Sequence, residues 1–392
     1  MTLPVLIVIG AMGVIGPLGT DMYLPALPTM ASELSTTPAW VQLTLTSFSV
    51  GLAVGQLLLG TLSDRFGRRW LLTGGIALLL VSGIVCSLAP TIEVLIAGRV
   101  LMGISGASGI VIGRAIAADL TTGTAAARVF SLLGTIAGVG PIAGPLLGGV
   151  VFGWGGWRPI FWVITAFAAL LLIGVLLFIR ETLPRSSRHR GGFAQFGRTA
   201  GAILARRHFL GYATTLWFSF GAMFAYISAS PFVIQRILGF SPTAFTVVFA
   251  INAAGLVSTG LLSAWLAGRV RVPNLATLGL AIQLLGVAGI ATVAATNTTS
   301  AWLILPSLFL ITTGMGFLLG NCTALAVSGI AARGTAMAIL GCVQFLMAGL
   351  VAPLVGLAGE ASIVPLAIVT VGCGAVAVVG LVLGRTAQRE VI

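Results

Sequence analysis

Residues 16–28 read GPLGTDMYLPALP, and the fate of this stretch decides what the chain is. The apolar run before it, from Leu3 to Leu18, is slightly short of the ~20 residues a helix needs to cross a ~30 Å hydrocarbon layer. Either the helix stops at Asp21 or it carries a carboxylate into the membrane. Composition settles the broad class: over 392 residues the chain is 58% hydrophobic and only 7% charged, with a mean hydropathy of +1.13. No soluble domain has that balance, so a polytopic membrane protein is expected. The apolar N-terminal segment lacks a basic flank and a convincing cleavage site, so it is expected to remain as the first span.

Apolar segments recur at roughly 4–30, 40–62, 71–89, 93–117, 128–151, 158–179, 208–232, 243–267, 273–295, 301–325, 335–357 and 363–384, giving twelve expected helices. With the N-terminus in the cytoplasm, every arginine except Arg99, Arg158 and Arg236 falls at an inner end. That bias is the positive-inside pattern and puts both termini inside. It also accounts for the net charge of +12 without a nucleic-acid partner, because the cations lie between spans and are not interleaved with aromatics on one face. Cys86, Cys322, Cys342 and Cys373 all fall inside spans, where cysteine packs as a small hydrophobe. The longest loop, 180–207, is basic and rich in Gly and Ser. It divides the chain into an N-terminal six-helix bundle (1–182), a cytoplasmic linker (183–206) and a C-terminal six-helix bundle (207–392). His189 and His208 lie in or beside this loop, so no buried imidazole is expected for metal or proton work, and no cofactor is implied.

The halves repeat at an offset of 200 residues. Thr46, Ala53, Gly55, Gly60, Leu62 and Ser63 recur as Thr246, Ala253, Gly255, Gly260, Leu262 and Ser263. The matches hold the same place in each half, the second span and its inner end, as two six-helix repeats require. At the end of the second span GTLSDRFGRRW (60–70) sets Asp64 among Arg65, Arg68 and Arg69, with Gly60 and Gly67 allowing a tight reversal. The second half has GLLSAWLAGRV there, with Ala264 and Trp265 in place of Asp64 and Arg65, so the charge cluster is one-sided. In the fifth span GVGPIAGPLLGG (138–149) lines Gly140, Gly144 and Gly148 along one helix face, while Pro141 and Pro145 each remove an amide donor. Such a helix packs closely and bends.

These segments carry a resemblance. GTLSDRFGRRW resembles the cytoplasmic loop motif of the major facilitator superfamily, LIAGRVLMGISGA (95–107) its fourth-helix arginine motif, and GVGPIAGPLLGG its fifth-helix antiporter motif. TDMYLPALP (20–28) and FAYISASPFVIQ (224–235) are similar to the drug/proton antiporters of the bicyclomycin and chloramphenicol resistance type. Met102 departs from the arginine motif, which often has glutamine there. The resemblance implies an all-α membrane protein with the major facilitator fold: twelve helices in two pseudo-symmetric six-helix bundles. It also implies an inner gate built from Gly60, Asp64, Arg65, Gly67, Arg68, Arg69 and Asp119. There Asp64 would dock near Gly334 and Thr335 and Asp119 would pair with Arg65 or Arg68.

Asp21 is the acid that no loop accounts for, as Arg99 is the unplaced inner cation. Pro25 has no amide to give the carbonyl of Asp21, nor Pro28 that of Leu24, so the helix is expected to break just beyond the aspartate. Freed carbonyls are tolerated where they line water or protein. Alternatively the prolines end the helix and leave Asp21 wet at the outer rim. If Asp21 and Arg99 meet, burial and the neighbouring cation act on the carboxylate's proton affinity in opposite senses, and a change in either switches it. The rival is a fixed structural pair. The chain contains no lysine, which removes the phosphate-loop lysine and with it ATP hydrolysis.

Thr20, Tyr23, Gln42, Phe48, Phe220, Phe224, Tyr226, Asn252 and Gln344 form the expected cavity set, apolar and aromatic with a few amides and hydroxyls. The expected function is a monomeric, proton-coupled multidrug efflux transporter in the bacterial inner membrane. It exports lipophilic drugs, chloramphenicol-like compounds above others, by alternating access. The alternatives are a proton-coupled exporter of a small metabolite, an uncoupled facilitator and, more distantly, an integral-membrane enzyme. The last lacks a buried histidine, a lysine and enough embedded acids for a metal site.

Overall fold

The computed structural model describes residues 2–121, 123–184, 193–330, 332–357, 359 and 362–389. Among them the chain is helical throughout. Eleven helices are long and apolar enough to cross a membrane, and the shorter apolar stretch Val139–Gly155 supplies the remaining expected position. The first span, Leu3–Glu33, is a broken rod made of α1 (Leu3–Met12), α2 (Ile15–Asp21), a 3₁₀ turn (Leu24–Ala26) and α3 (Leu27–Glu33). Its breaks follow the prolines. Each of Pro17, Pro25 and Pro28 withholds an amide from the residue four positions earlier, Gly13, Asp21 and Leu24. The helix loosens at those places.

Five further helices complete the first half: α4 (Pro38–Phe66), α5 (Arg68–Leu88), α6 (Ile92–Leu120), α7 (Gly123–Gly155) and α8 (Arg158–Phe178). α7 continues through Pro141 and Pro145 as one helix. The segment expected as linker contains a helix the sequence reading did not anticipate, α9 (Phe193–Leu204), which buries Ile203 and exposes Arg198. Then come α10 (Arg207–Phe232, running into a π-helical turn at Val233–Ile237), α11 (Pro242–Leu266), α12 (Val272–Thr296), α13 (Ala301–Val327), α14 (Arg333–Val355) and α15 (Val364–Arg389).

The chain divides into two compact units, Met1–Thr36 with Leu43–Phe193, and Thr37–Gln42 with Ala194–Ile392. In the first, α5 packs on α6 and α8, and α2 on α6 and α7. In the second, α12 packs on α13, and α10 on α13, α14 and α15. Apolar side chains do not drive helices together in lipid, since the tails are equally apolar, so close backbone approach has to do it. Glycines recurring in the 200-residue repeat occupy equivalent contacts. A Cβ at Gly55 would lie 2.6 Å from the Ile104 carbonyl of α6, and one at Gly255 would lie 2.6 Å from Phe309 and Thr313 of α13. Each joins the second helix of its half to the fourth. Ser63 and Ser263 are both buried, and each takes a hydrogen bond at its hydroxyl, from Arg68 and from Asn321.

This packing predicts a contrast. Gly55→Val should destabilise the protein by about 1–3 kcal/mol through overpacking, whereas Gly74→Ala, with nothing within 4 Å of the added carbon, should be neutral or better. Thermal unfolding of the two purified variants in one detergent checks it.

Candidate functional site

Arg99 sits in α6 with no exposed surface, so its five donors have to be met inside the protein. Nε donates to the Thr44 carbonyl at 3.2 Å, Nη1 to Met102 Sδ at 3.4 Å and Nη2 to Tyr23 Oη at 3.2 Å. Three rings enclose the charge: the guanidinium carbon lies 4.3 Å from the centroid of Phe48, 4.5 Å from Tyr23 and 5.8 Å from Phe161. A desolvated contact of this kind is worth about 2 kcal/mol or more. Tyr23 Oη also shares a 2.9 Å hydrogen bond with Thr44 Oγ1, and its ring packs on Phe161 at 5.5 Å. Tyr23 reaches this place because the helix is broken there: it lies between α2 and the 3₁₀ turn with φ −99° and ψ 1°. The methionine that departs from the arginine motif still accepts a hydrogen bond from Arg99.

Asp21 ends α2 and is 5% exposed, so it lies inside the first unit and not at a wet rim. The expected meeting with Arg99 does not occur. Among the described residues no ion pair links them, and Arg99 spends its donors on a hydroxyl, a carbonyl and a sulfur. The reason is geometric: the break after Asp21 turns Tyr23, two residues on, toward α6. What Asp21 does face is α7. A Cβ at Gly144 would lie 3.3 Å from Asp21 Cβ and 3.4 Å from the Pro17 carbonyl, one at Gly140 would lie 2.6 Å from the Pro17 ring, and one at Gly148 would overlap the Met22 carbonyl. The glycine face of the fifth span, with Pro141 and Pro145 between its ridges, is therefore the bed on which the Asp21 segment lies. At the far end of this segment Glu33 accepts from Trp157 Nε1 at 2.8 Å and pairs with Arg158 at 3.5 Å, fastening α3 to the start of α8.

At the other end of the first unit Arg68 resolves the expected alternative for Asp119. Its Nε pairs with Asp119 Oδ2 at 3.4 Å, and its Nη1 donates to Ser63 Oγ at 2.6 Å. Arg65 is exposed and lies over the Phe66 ring at 5.2 Å. Gly67 has φ +103°, a conformation that favours glycine, which is why α4 can reverse directly into α5. Gly60 approaches Val111 of α6. The side chain of Asp64 lies outside the described residues. Sequence reasoning missed Glu181. Its carboxylate accepts from the backbone amides of Arg68 at 2.9 Å and Arg69 at 3.3 Å, capping α5, where a helix start favours an anion. Thr182 donates to Asp119 at 2.8 Å, so Glu181 and Thr182, a few residues past the sixth span, both join the cluster. No local pattern marks such a cap, because its partners are 112 and 113 residues away in sequence.

The expected cavity residues divide between the units. In the first, Thr20 is buried and donates back to the Gly16 carbonyl, while Tyr23 and Phe48 belong to the Arg99 enclosure. In the second, Asn252 donates to Tyr226 Oη at 2.7 Å, Tyr226 stacks on Phe249 at 5.8 Å, and Phe220 stacks on Phe224 at 6.0 Å. Gln344 is half-buried on α14. Gln42 belongs to the second unit, where its Nε2 donates to the Ser228 carbonyl at 3.1 Å and it helps line a small cleft with Pro38, Phe232, Val233 and Ser362.

Broken and glycine-faced membrane helices around a dry arginine, with an ion cluster at one end, define a polytopic membrane transporter. The family model described as Major Facilitator Superfamily matches residues 9–353, and the chain belongs to that superfamily. It is a multi-pass membrane transporter and not an enzyme. It is 35% identical over 388 residues to the uncharacterized MFS-type transporter YdgK of Bacillus subtilis, covering 97% of this chain and 96% of that one. It is 27% identical over 363 residues to the bicyclomycin resistance protein homolog of Haemophilus influenzae, covering 89% and 88%. In fold it resembles a bacterial homolog of the human lysosomal transporter Spinster, with a TM-score of 0.76 at 18% identity over 98% and 97% of the two chains.

Tyr23→Phe removes the one oxygen that meets Arg99 Nη2 and Thr44 Oγ1. It should lower stability by about 1–3 kcal/mol, read as a fall in melting temperature of the purified protein, with the ring contacts to Arg99 retained.

Proposed function

We propose that the chain is a proton-coupled efflux transporter for lipophilic, antibiotic-sized molecules, with chloramphenicol-like compounds favoured, and that Asp21 is the proton-carrying group. The observation that carries this reading is a carboxylate buried at a helix break with no cation paired to it among the described residues. An acid so placed is costly to keep ionised and is retained where it does work. The family supports transport, and the resemblance to a bicyclomycin resistance homolog supports a drug as cargo. The aromatic and amide side chains of the second unit, Phe220, Phe224, Tyr226, Asn252 and Gln344, supply the apolar surface and few polar groups that a neutral drug requires.

In this reading the six-helix bundles 1–182 and 207–392 alternate access across the inner membrane with both termini cytoplasmic. Asp21 takes a proton from outside and releases it inside, and each proton brings about 2.3 kcal/mol per 100 mV. Arg99 holds Tyr23, and through it the break after Asp21, in place. The cluster of Arg68, Asp119 and Glu181 serves the inner gate together with Asp64.

Proteoliposomes reporting drug-evoked proton movement, with chloramphenicol and bicyclomycin as cargo, test the assignment. Asp21→Asn should abolish uphill export and drug-evoked proton release while leaving substrate binding or exchange within a fewfold of wild type. Full concentrative export by Asp21→Asn refutes it. Export by the wild type that is indifferent to an uncoupler replaces it with a facilitator.

A further inference from the structure

The two units carry their charge differently. Of the eight acids, six fall before residue 194, and the second unit has only Glu360 and Glu390 against nine arginines. Both of those acids lie outside the described residues, so no carboxylate stands among the described residues of that unit. The first unit answers its inner arginines from within, with Asp119 on Arg68 and Glu181 on the amides of Arg68 and Arg69. In the second unit the equivalent loop has Ala264 where the first has Asp64.

Apart from Arg236, its cations nevertheless fall at one end. Arg206 donates to the Gly329 carbonyl, joining the start of α10 to the loop after α13, and Arg385 donates to Thr277 and Asn274, joining the end of α15 to the start of α12. Around these tied ends Arg198, Arg207, Arg269 and Arg271 are exposed, and their guanidinium groups have no hydrogen bond or ion pair to protein among the described residues. Arg269 lies 3.7 Å over the ring of Trp265, itself 59% exposed, and an exposed tryptophan at a span end marks the level of lipid headgroups.

We propose that this end of the second unit is a docking surface for anionic phospholipid headgroups, which supply a counter-charge that no described residue of the unit offers there. Headgroups bear phosphate oxygens that take an arginine's paired donors side by side. They are present at that level along the whole perimeter of the unit. Each basic residue near an anionic membrane surface gains about fivefold in local preference for it, and α9 adds Arg198 on a helix that buries Ile203 toward the core of the unit and leaves its cation outward.

The test uses the full chain reconstituted in an equimolar mixture of phosphatidylglycerol and phosphatidylcholine, extracted in mild detergent, with retained lipids counted by native mass spectrometry. The wild type should retain phosphatidylglycerol at least several-fold over phosphatidylcholine. Arg269→Gln with Arg271→Gln, and separately Arg198→Gln with Arg207→Gln, should each reduce that preference severalfold. The corresponding Lys substitutions should keep most of it, and Ala264→Asp, which supplies an internal anion, should weaken it. Equal retention of the two lipids by the wild type, or an undiminished preference in both Gln variants, overturns the proposal. The Lys variants and the melting temperature separate lost charge from lost fold.

Discussion

A guanidinium that reaches neither water nor a carboxylate is the constraint around which the first unit is arranged. Arg99 is fully buried, and an ion moved from water to a low-dielectric interior costs several kcal/mol even after relaxation. The chain offsets this with dipoles and rings: the Thr44 carbonyl, the Tyr23 hydroxyl, the Met102 sulfur and three aromatic faces. Each partner comes from a different helix or a different turn, so satisfying one side chain fixes α4, α6, α8 and the broken first span relative to one another. Asp21 inherits its surroundings from that arrangement, because Tyr23 cannot face α6 unless the rod gives way just after the aspartate.

Close backbone approach does the rest. Gly55 and Gly255 hold equivalent places in the two halves, the first against the backbone of α6 and the second against the Phe309 and Thr313 side chains of α13, and Gly140, Gly144 and Gly148 admit the Asp21 segment against α7. The halves share this steel frame but not their electrostatics. The first unit builds ion pairs at both ends, Glu33 with Arg158 and Arg68 with Asp119, while in the second Arg206 and Arg385 are met by a carbonyl, a hydroxyl and an amide, with no carboxylate among the described residues. Repetition therefore conserved the packing of helices and let the charges diverge.

Much of this was legible in the residues. Hydropathy alone locates the spans, since a ~20-residue apolar run has few other homes, and Pro25 and Pro28 announce the break after Asp21. The partner of Arg99 was not legible. Counting charges in the membrane interior leaves one acid and one base and invites pairing them, but a tyrosine two residues further along serves the base better, and a tally of formal charges does not register a hydroxyl or a ring face. Glu181 was hidden for a related reason: a carboxylate after a span looks like a loop acid until folding brings the amides of Arg68 and Arg69 to it. α9 was hidden by composition, because a stretch rich in Gly and Arg reads as a linker even where its last turn sets Ile203 into the core.

The bed of glycines under Asp21 has a mechanical consequence. Helices joined by interlocking side chains resist axial displacement, since every knob must climb out of its hole before it can enter the next. The face of α7 at Gly140, Gly144 and Gly148 offers no knobs of its own, and against it lie the Pro17 ring, the Asp21 Cβ and the Met22 carbonyl. Friction along that seam is low, while lateral separation still forfeits every contact at once. Resistance to lengthwise travel of the aspartate's segment therefore comes from Tyr23, two residues on, and its bond to Arg99, and not from side chains of α7.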